Sequence, residues 1–70
     1  MIDIIGTKNC SKCTIVKKIL DEKHIVYYYL DINDISAEEK EWYMNLAKKA
    51  NQKNFPLIIK EGKIITIEEI

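Results

Sequence analysis

Two cysteines, Cys10 and Cys13, are the only thiols of a 70-residue chain, and both fall in the motif Cys10-Ser11-Lys12-Cys13. The surrounding stretch, IIGTKNCSKCTIVKKIL, opens on strand-like apolar residues and closes on a pattern with helical spacing. A thiol at the start of a helix meets unpaired backbone N–H groups and about half a positive elementary charge, and both favour the thiolate. Lys8 and Lys12 flank Cys10 in sequence and act in the same direction. Cys13 lies one turn further, on the side that continues into Val16 and Leu20, so it is expected to be buried. Sulfurs three residues apart on one helical turn come close enough to bridge. The pair therefore reads as a redox-active dithiol. Cys10 attacks a substrate disulfide, and Cys13 resolves the mixed disulfide that results.

The competing chemistry is metal binding. A structural zinc site takes four ligands, and the chain offers one imidazole, His24, at the far end of the first expected helix. One chain cannot complete a Cys2His2 site. Two chains, each contributing Cys10 and Cys13, could hold a metal ion or an iron–sulfur cluster, and that alternative stays open at this point. Inert packing cysteines are a third reading.

Composition narrows the class. Apolar residues make up 47% of the chain, enough for a core, so a single folded domain spanning 1–70 is expected. Lys+Arg and Asp+Glu number 11 each, all the former being Lys, so the formal charge is zero. That balance argues against nucleic acid or an anionic membrane as partner, and the lack of Arg removes the bidentate guanidinium clamp. No run reaches the roughly 20 apolar residues of a membrane helix, and the N-terminus lacks a basic leader. The expected location is the cytoplasm, where a close cysteine pair is more often catalytic or metal-binding than structural.

The elements that position the cysteines follow from hydrophobic periodicity. Ile2–Ile5 reads as a short strand stopped by Gly6, and Thr7-Lys8-Asn9 as a loop. From Ser11 onward Ile15, Val16, Ile19 and Leu20 share one helical face. Ile25 to Leu30, with Tyr27, Tyr28 and Tyr29, is the strongest strand former, and its tyrosines alternate between the two sides. Ser36 and Glu39 fit a capping box opening a second helix, on which Trp42, Tyr43, Leu46, Ala47 and Ala50 are expected to face the sheet until it ends near Asn51. Leu57–Lys60 and Lys63–Ile67 read as a hairpin about a Glu61-Gly62 turn, leaving Glu68-Glu69-Ile70 as a stub. The order is β-α-β-α-β-β, an α/β domain with a four-stranded mixed sheet and helices packed on it.

With these residues in place, the chain resembles the glutaredoxins and their relatives in the thioredoxin-like fold. The resemblance is carried by Ile2-Asp3-Ile4-Ile5-Gly6-Thr7-Lys8 leading into Cys10-Ser11-Lys12-Cys13, by Tyr29-Leu30-Asp31-Ile32, and by Asn54-Phe55-Pro56-Leu57-Ile58 with Glu61-Gly62-Lys63. It implies a thiol–disulfide oxidoreductase with no bound cofactor, acting as a monomer on disulfide-containing proteins or small thiol substrates. Electrons would come from glutathione or from a flavoprotein reductase. It implies that Pro56 is the family's cis-proline, whose peptide offers backbone groups to an extended substrate, and that Lys8 stands near the family's glutathione-contacting basic residue. Phe55 is then either core or an apolar lip beside Cys10.

The chain departs from the family in several ways, the first being that Lys8 lies two residues before Cys10, one place nearer than the family's glutathione-contacting basic residue. Ser11-Lys12 replaces the common Pro-Tyr between the cysteines, and Asn54-Phe55 replaces Thr-Val before the proline. The Gly-Gly-aromatic-Asp-Asp segment that holds glutathione is absent, and the last helix is missing or reduced to the stub. Positive charge at Lys12 should favour the reduced pair and make the disulfide more oxidising, with 30 mV corresponding to about 1.4 kcal/mol.

Overall fold

A computed structural model describes residues 2–52 and 54–70. The elements are β1 (Ile2–Gly6), α1 (Ser11–Glu22), β2 (Tyr27–Asp31), α2 (Ala37–Lys49), β3 (Leu57–Lys60), β4 (Lys63–Ile65) and a closing 3₁₀ turn over Ile67–Glu69. They build one four-stranded sheet in the order β2-β1-β3-β4. β1 pairs parallel with β2 (Ile4 opposite Tyr29, Gly6 opposite Asp31) and antiparallel with β3. β3 pairs antiparallel with β4. The mixed sheet expected from the sequence is present, and the 3₁₀ turn follows β4 directly.

Strand periodicity divides the core in two. Ile2, Ile4 and Ile58 turn towards α1 and meet Val16 and Leu20, while Ile5, Leu57 and Ile59 turn the other way and meet Ala47 of α2 with Ile32. The two helices therefore cover opposite faces of the sheet, and β1, an inner strand, is apolar on both except at Asp3. Tyr27 and Tyr29 pack on the α1 side, whereas Tyr28 points outward and is exposed.

Local chemistry sets the ends of each element. Ser36 caps α2 by accepting from the Glu39 N–H at 3.2 Å, and the Glu39 carboxylate accepts from the Ser36 N–H in return. Both helices stop the same way. His24 and Asn51 take left-handed φ values of 57° and 56°, and the N–H groups of Ile25 and Gln52 donate back to the carbonyls of Leu20 and Ala47. The hairpin turn has positive φ at both Glu61 and Gly62, as a type I′ connection requires.

The structure corrects five local expectations. Trp42 does not anchor α2: it is 53% exposed and rests edge-on against Tyr43, while Tyr43, Met44, Leu46 and Ala47 make the contact with the sheet. Ala50 is exposed as well, at the helix cap. On α1 the buried stripe is Cys13, Val16 and Leu20, and Ile15 is 56% exposed on its flank. β2 begins at Tyr27, leaving Val26 exposed, and β4 ends at Ile65, because Thr66 starts the closing turn. There the Glu69 carboxylate accepts from the Thr66 N–H at 3.1 Å.

Candidate active site

The first β-α connection makes the site. β1 runs through the core and delivers the chain at Gly6, and the turn Thr7–Asn9, with Asn9 in the left-handed region at φ 57°, feeds it into α1. Cys10 is the N-cap: its backbone is extended, and its Sγ accepts a hydrogen bond from the Cys13 N–H at 3.1 Å. A sulfur thus stands where an oxygen-bearing cap residue commonly does, satisfying one of the free amides of the first turn. Cys10 and Cys13 are joined by a disulfide, with their Cα atoms 5.3 Å apart.

The two sulfurs have unequal surroundings. Cys10 is partly exposed and lines two cavities. Cys13 is 2% exposed. One cavity, of about 550 Å³, is bounded by Thr7, Asn9, Thr14, Lys17 and Tyr29 around the disulfide. The other, about 320 Å³, runs from Cys10 towards Lys12, Asn54 and Phe55. It adjoins an apolar groove of about 320 Å³ in which Lys12, Ile15 and Ile19 of α1 face Phe55, Pro56 and Ile67. The exposed position of Ile15 has its explanation here: the residue forms a wall of this groove.

The residues singled out in the sequence are mostly brought together. Lys12 and Phe55 share a cavity with Cys10, and Pro56 lines the adjoining groove. The Phe55–Pro56 peptide bond is cis, in agreement with the family position. Phe55 is half-buried, packing on the α2-side core while bordering the cavity, so it is both core and lip. Lys8 is exposed in the turn and lines neither cavity at Cys10. His24 is exposed at the far end of α1, where it forms the helix stop.

Three site residues escaped the sequence reading: Gly6, Lys17 and Tyr29. Gly6 is buried, and a Cβ there would stand 2.9 Å from both Cys13 Sγ and Tyr29 Cε2. The Lys17 Nζ lies over the Tyr29 ring, 3.7 Å from its centroid. Burial, and secondarily the Asp31 carboxylate, hold the Tyr29 hydroxyl above the usual phenol range. The four-residue spacing from Cys13 to Lys17 was the one local sign of this cluster.

Among the described residues no group of three or more His, Cys, Asp or Glu side chains is placed to hold a metal ion. No helix among them is long and apolar enough to cross a membrane.

No curated protein matches the sequence. Among solved structures, the chain is similar to the crystal structure of the thioredoxin-like protein BC3987, with a TM-score of 0.71 and 21% identity over 99% of this chain and 93% of that one. A point mutant of the same protein gives the same TM-score and identity, with 99% and 92% covered. At that identity the likeness establishes the thioredoxin-like fold. The sequence profile of the glutaredoxin family matches residues 2–65, a span that contains both cysteines, the cis-proline and all four strands. The chain belongs to the glutaredoxin family.

Proposed function

We propose that the protein is a dithiol oxidoreductase in which Cys10 is the nucleophile and Cys13 the resolving thiol. The observation that carries this reading is the asymmetry of the pair. Cys10 caps α1 at the mouth of two cavities, and Cys13 is buried one turn deeper, within bridging distance. In the reduced state the first-turn amides and the positive end of α1 stabilise a Cys10 thiolate. That thiolate attacks one sulfur of a substrate disulfide, and the other leaves as a thiolate. Cys13 then attacks Cys10, the intermolecular bond breaks, and the substrate departs reduced by two electrons while the Cys10–Cys13 disulfide forms.

Lys12, Phe55 and Pro56 border the approach to Cys10 and suit an extended thiol or disulfide substrate with apolar side chains. Glutathione or a reductase returns the electrons. The polar first-turn cavity suits the tripeptide, whereas the missing diglycine segment favours a protein reductase. A Cys13→Ser variant exposed to an oxidised peptide or to glutathione disulfide should accumulate a mixed disulfide on Cys10, visible as a mass increase reversed by dithiothreitol. No adduct on Cys10, together with no turnover by the unmodified protein with either donor, would overturn the reading.

A further inference from the structure

Lys17 lies one helical turn beyond Cys13 on the same side of α1. Its ammonium sits over the Tyr29 ring, 3.7 Å from the centroid. The same ring reaches the floor of the site, because Tyr29 Cε2 and Cys13 Sγ both lie 2.9 Å from the point a Gly6 Cβ would occupy. The Tyr29 hydroxyl crowds that same point, so the side chain carrying the cation on its ring and the buried sulfur meet at Gly6, and Lys17, Tyr29 and Cys13 line a single cavity with Cys10.

Resting on the dithiol reading above, we propose that Lys17, held in place by Tyr29, is a positioning residue that sets the ionisation of Cys13 and so the speed of the resolving step. Cys13 must lose its proton to solvent before it can attack Cys10. Burial opposes that loss, because the thiolate is the form that suffers from leaving water. A fixed ammonium opposes the penalty, and a half-buried one is screened less than a fully solvated one. The resolving thiolate then forms the Cys10–Cys13 bond, the bond from Cys10 to the substrate breaks, and the substrate sulfur leaves with the electron pair and takes a proton from water.

The charged and titratable groups around Cys13 are few. Its own helix supplies Lys17 and, at its start, Cys10. β2 supplies Tyr29 and, beyond it, Asp31, while β1 offers only Gly6 at this level. Asp31 opposes Lys17, yet its carboxylate already accepts the Asn33 N–H at 2.8 Å. Tyr29 stays protonated under burial, so its ring offers the ammonium a neutral π face rather than a competing anion.

The test separates the two chemical steps. Reduced protein mixed with an equimolar aromatic disulfide, dithiobis(nitrobenzoate), releases one coloured thiolate when Cys10 attacks and a second when Cys13 resolves. The rate of the second release is followed against pH. Lys17→Met should slow it about tenfold near neutrality and raise its pH midpoint by about one unit, lowering the ratio of second to first rates. Lys17→Arg should restore most of the ratio, and Tyr29→Leu, which frees the ammonium, should give part of the loss. Thermal melts identify any variant that fails to fold. Two releases from the unmodified protein, with a second midpoint that does not move in folded Lys17→Met, overturn the role of Lys17 alone. Absence of a second release from the unmodified protein overturns the dithiol reading and this proposal with it.

Discussion

Gly6→Ala is a one-carbon change with a large expected cost. The new Cβ would run into the Tyr29 hydroxyl and stand 2.9 Å from both Cys13 Sγ and Tyr29 Cε2. Carbon contacts settle near 3.5–4.0 Å, so the methyl group overlaps each neighbour by roughly 0.6–1.1 Å. Neither neighbour can retreat easily: Cys13 is buried and bridged to Cys10, and the Tyr29 ring carries the Lys17 ammonium on its face. Overpacking a core costs about 1–3 kcal/mol, and two obstacles place this site near about 2.5 kcal/mol. A domain of this length has a stability of roughly 3.5–10 kcal/mol in total, so the variant loses a large share of it. For domains of 60–100 residues each kcal/mol corresponds to about 4–8 °C, which gives a fall in Tm of about 10–20 °C. Urea and thermal melts of the oxidised protein measure it. Gly62→Ala is the control: nothing lies within 4 Å of its Cβ position, so its loss comes only from the positive φ of 76° and should be about 1–2 kcal/mol. A folded Gly6→Ala protein within about 0.5 kcal/mol of the unmodified one would refute the packing argument.

Two further outcomes follow from other parts of the fold. Ser36→Ala removes the acceptor of the Glu39 N–H and the hydroxyl that donates to the Glu39 carboxylate, and should cost about 1 kcal/mol in urea melts, with Ser36→Asp recovering most of it. Burial first, and nearby carboxylates second, hold Tyr27, Tyr29 and Tyr43 above the ordinary phenol range. The folded state therefore keeps these protons longer than the unfolded chain. The stability they contribute is complete below about pH 10 and declines as pH rises through the folded values. Melts taken from neutral to strongly alkaline pH should show that decline, smaller in Tyr29→Phe, and a flat profile in both proteins would contradict it.

Much of the architecture was readable because it is written locally. The Cys10–Cys13 spacing at a switch from strand to helical periodicity, the Ser36/Glu39 box and the Glu61-Gly62 turn each depend on residues within one turn of one another, and each is found in place. Exact helix faces were less readable. Adjacent apolar pairs such as Ile15-Val16 and Trp42-Tyr43 leave the face ambiguous by one residue until the sheet selects it, and it selects Val16 and Tyr43. The Gly6–Tyr29–Lys17 cluster depends on the parallel register that sets Ile4 opposite Tyr29. Strand register between segments more than 20 residues apart leaves no local trace, so Gly6 read only as a strand stop and Tyr29 only as a strand former.

The most direct measurement is the ionisation of Cys10 itself, followed by thiolate ultraviolet absorbance in reduced Cys13→Ser protein. With the first-turn amides and the N-terminus of α1 behind the sulfur, the midpoint should fall clearly below the free-cysteine value of about 8.5. A midpoint at or above that value would show that the helix start does not hold a thiolate, and the nucleophile assigned to this site would be the wrong one.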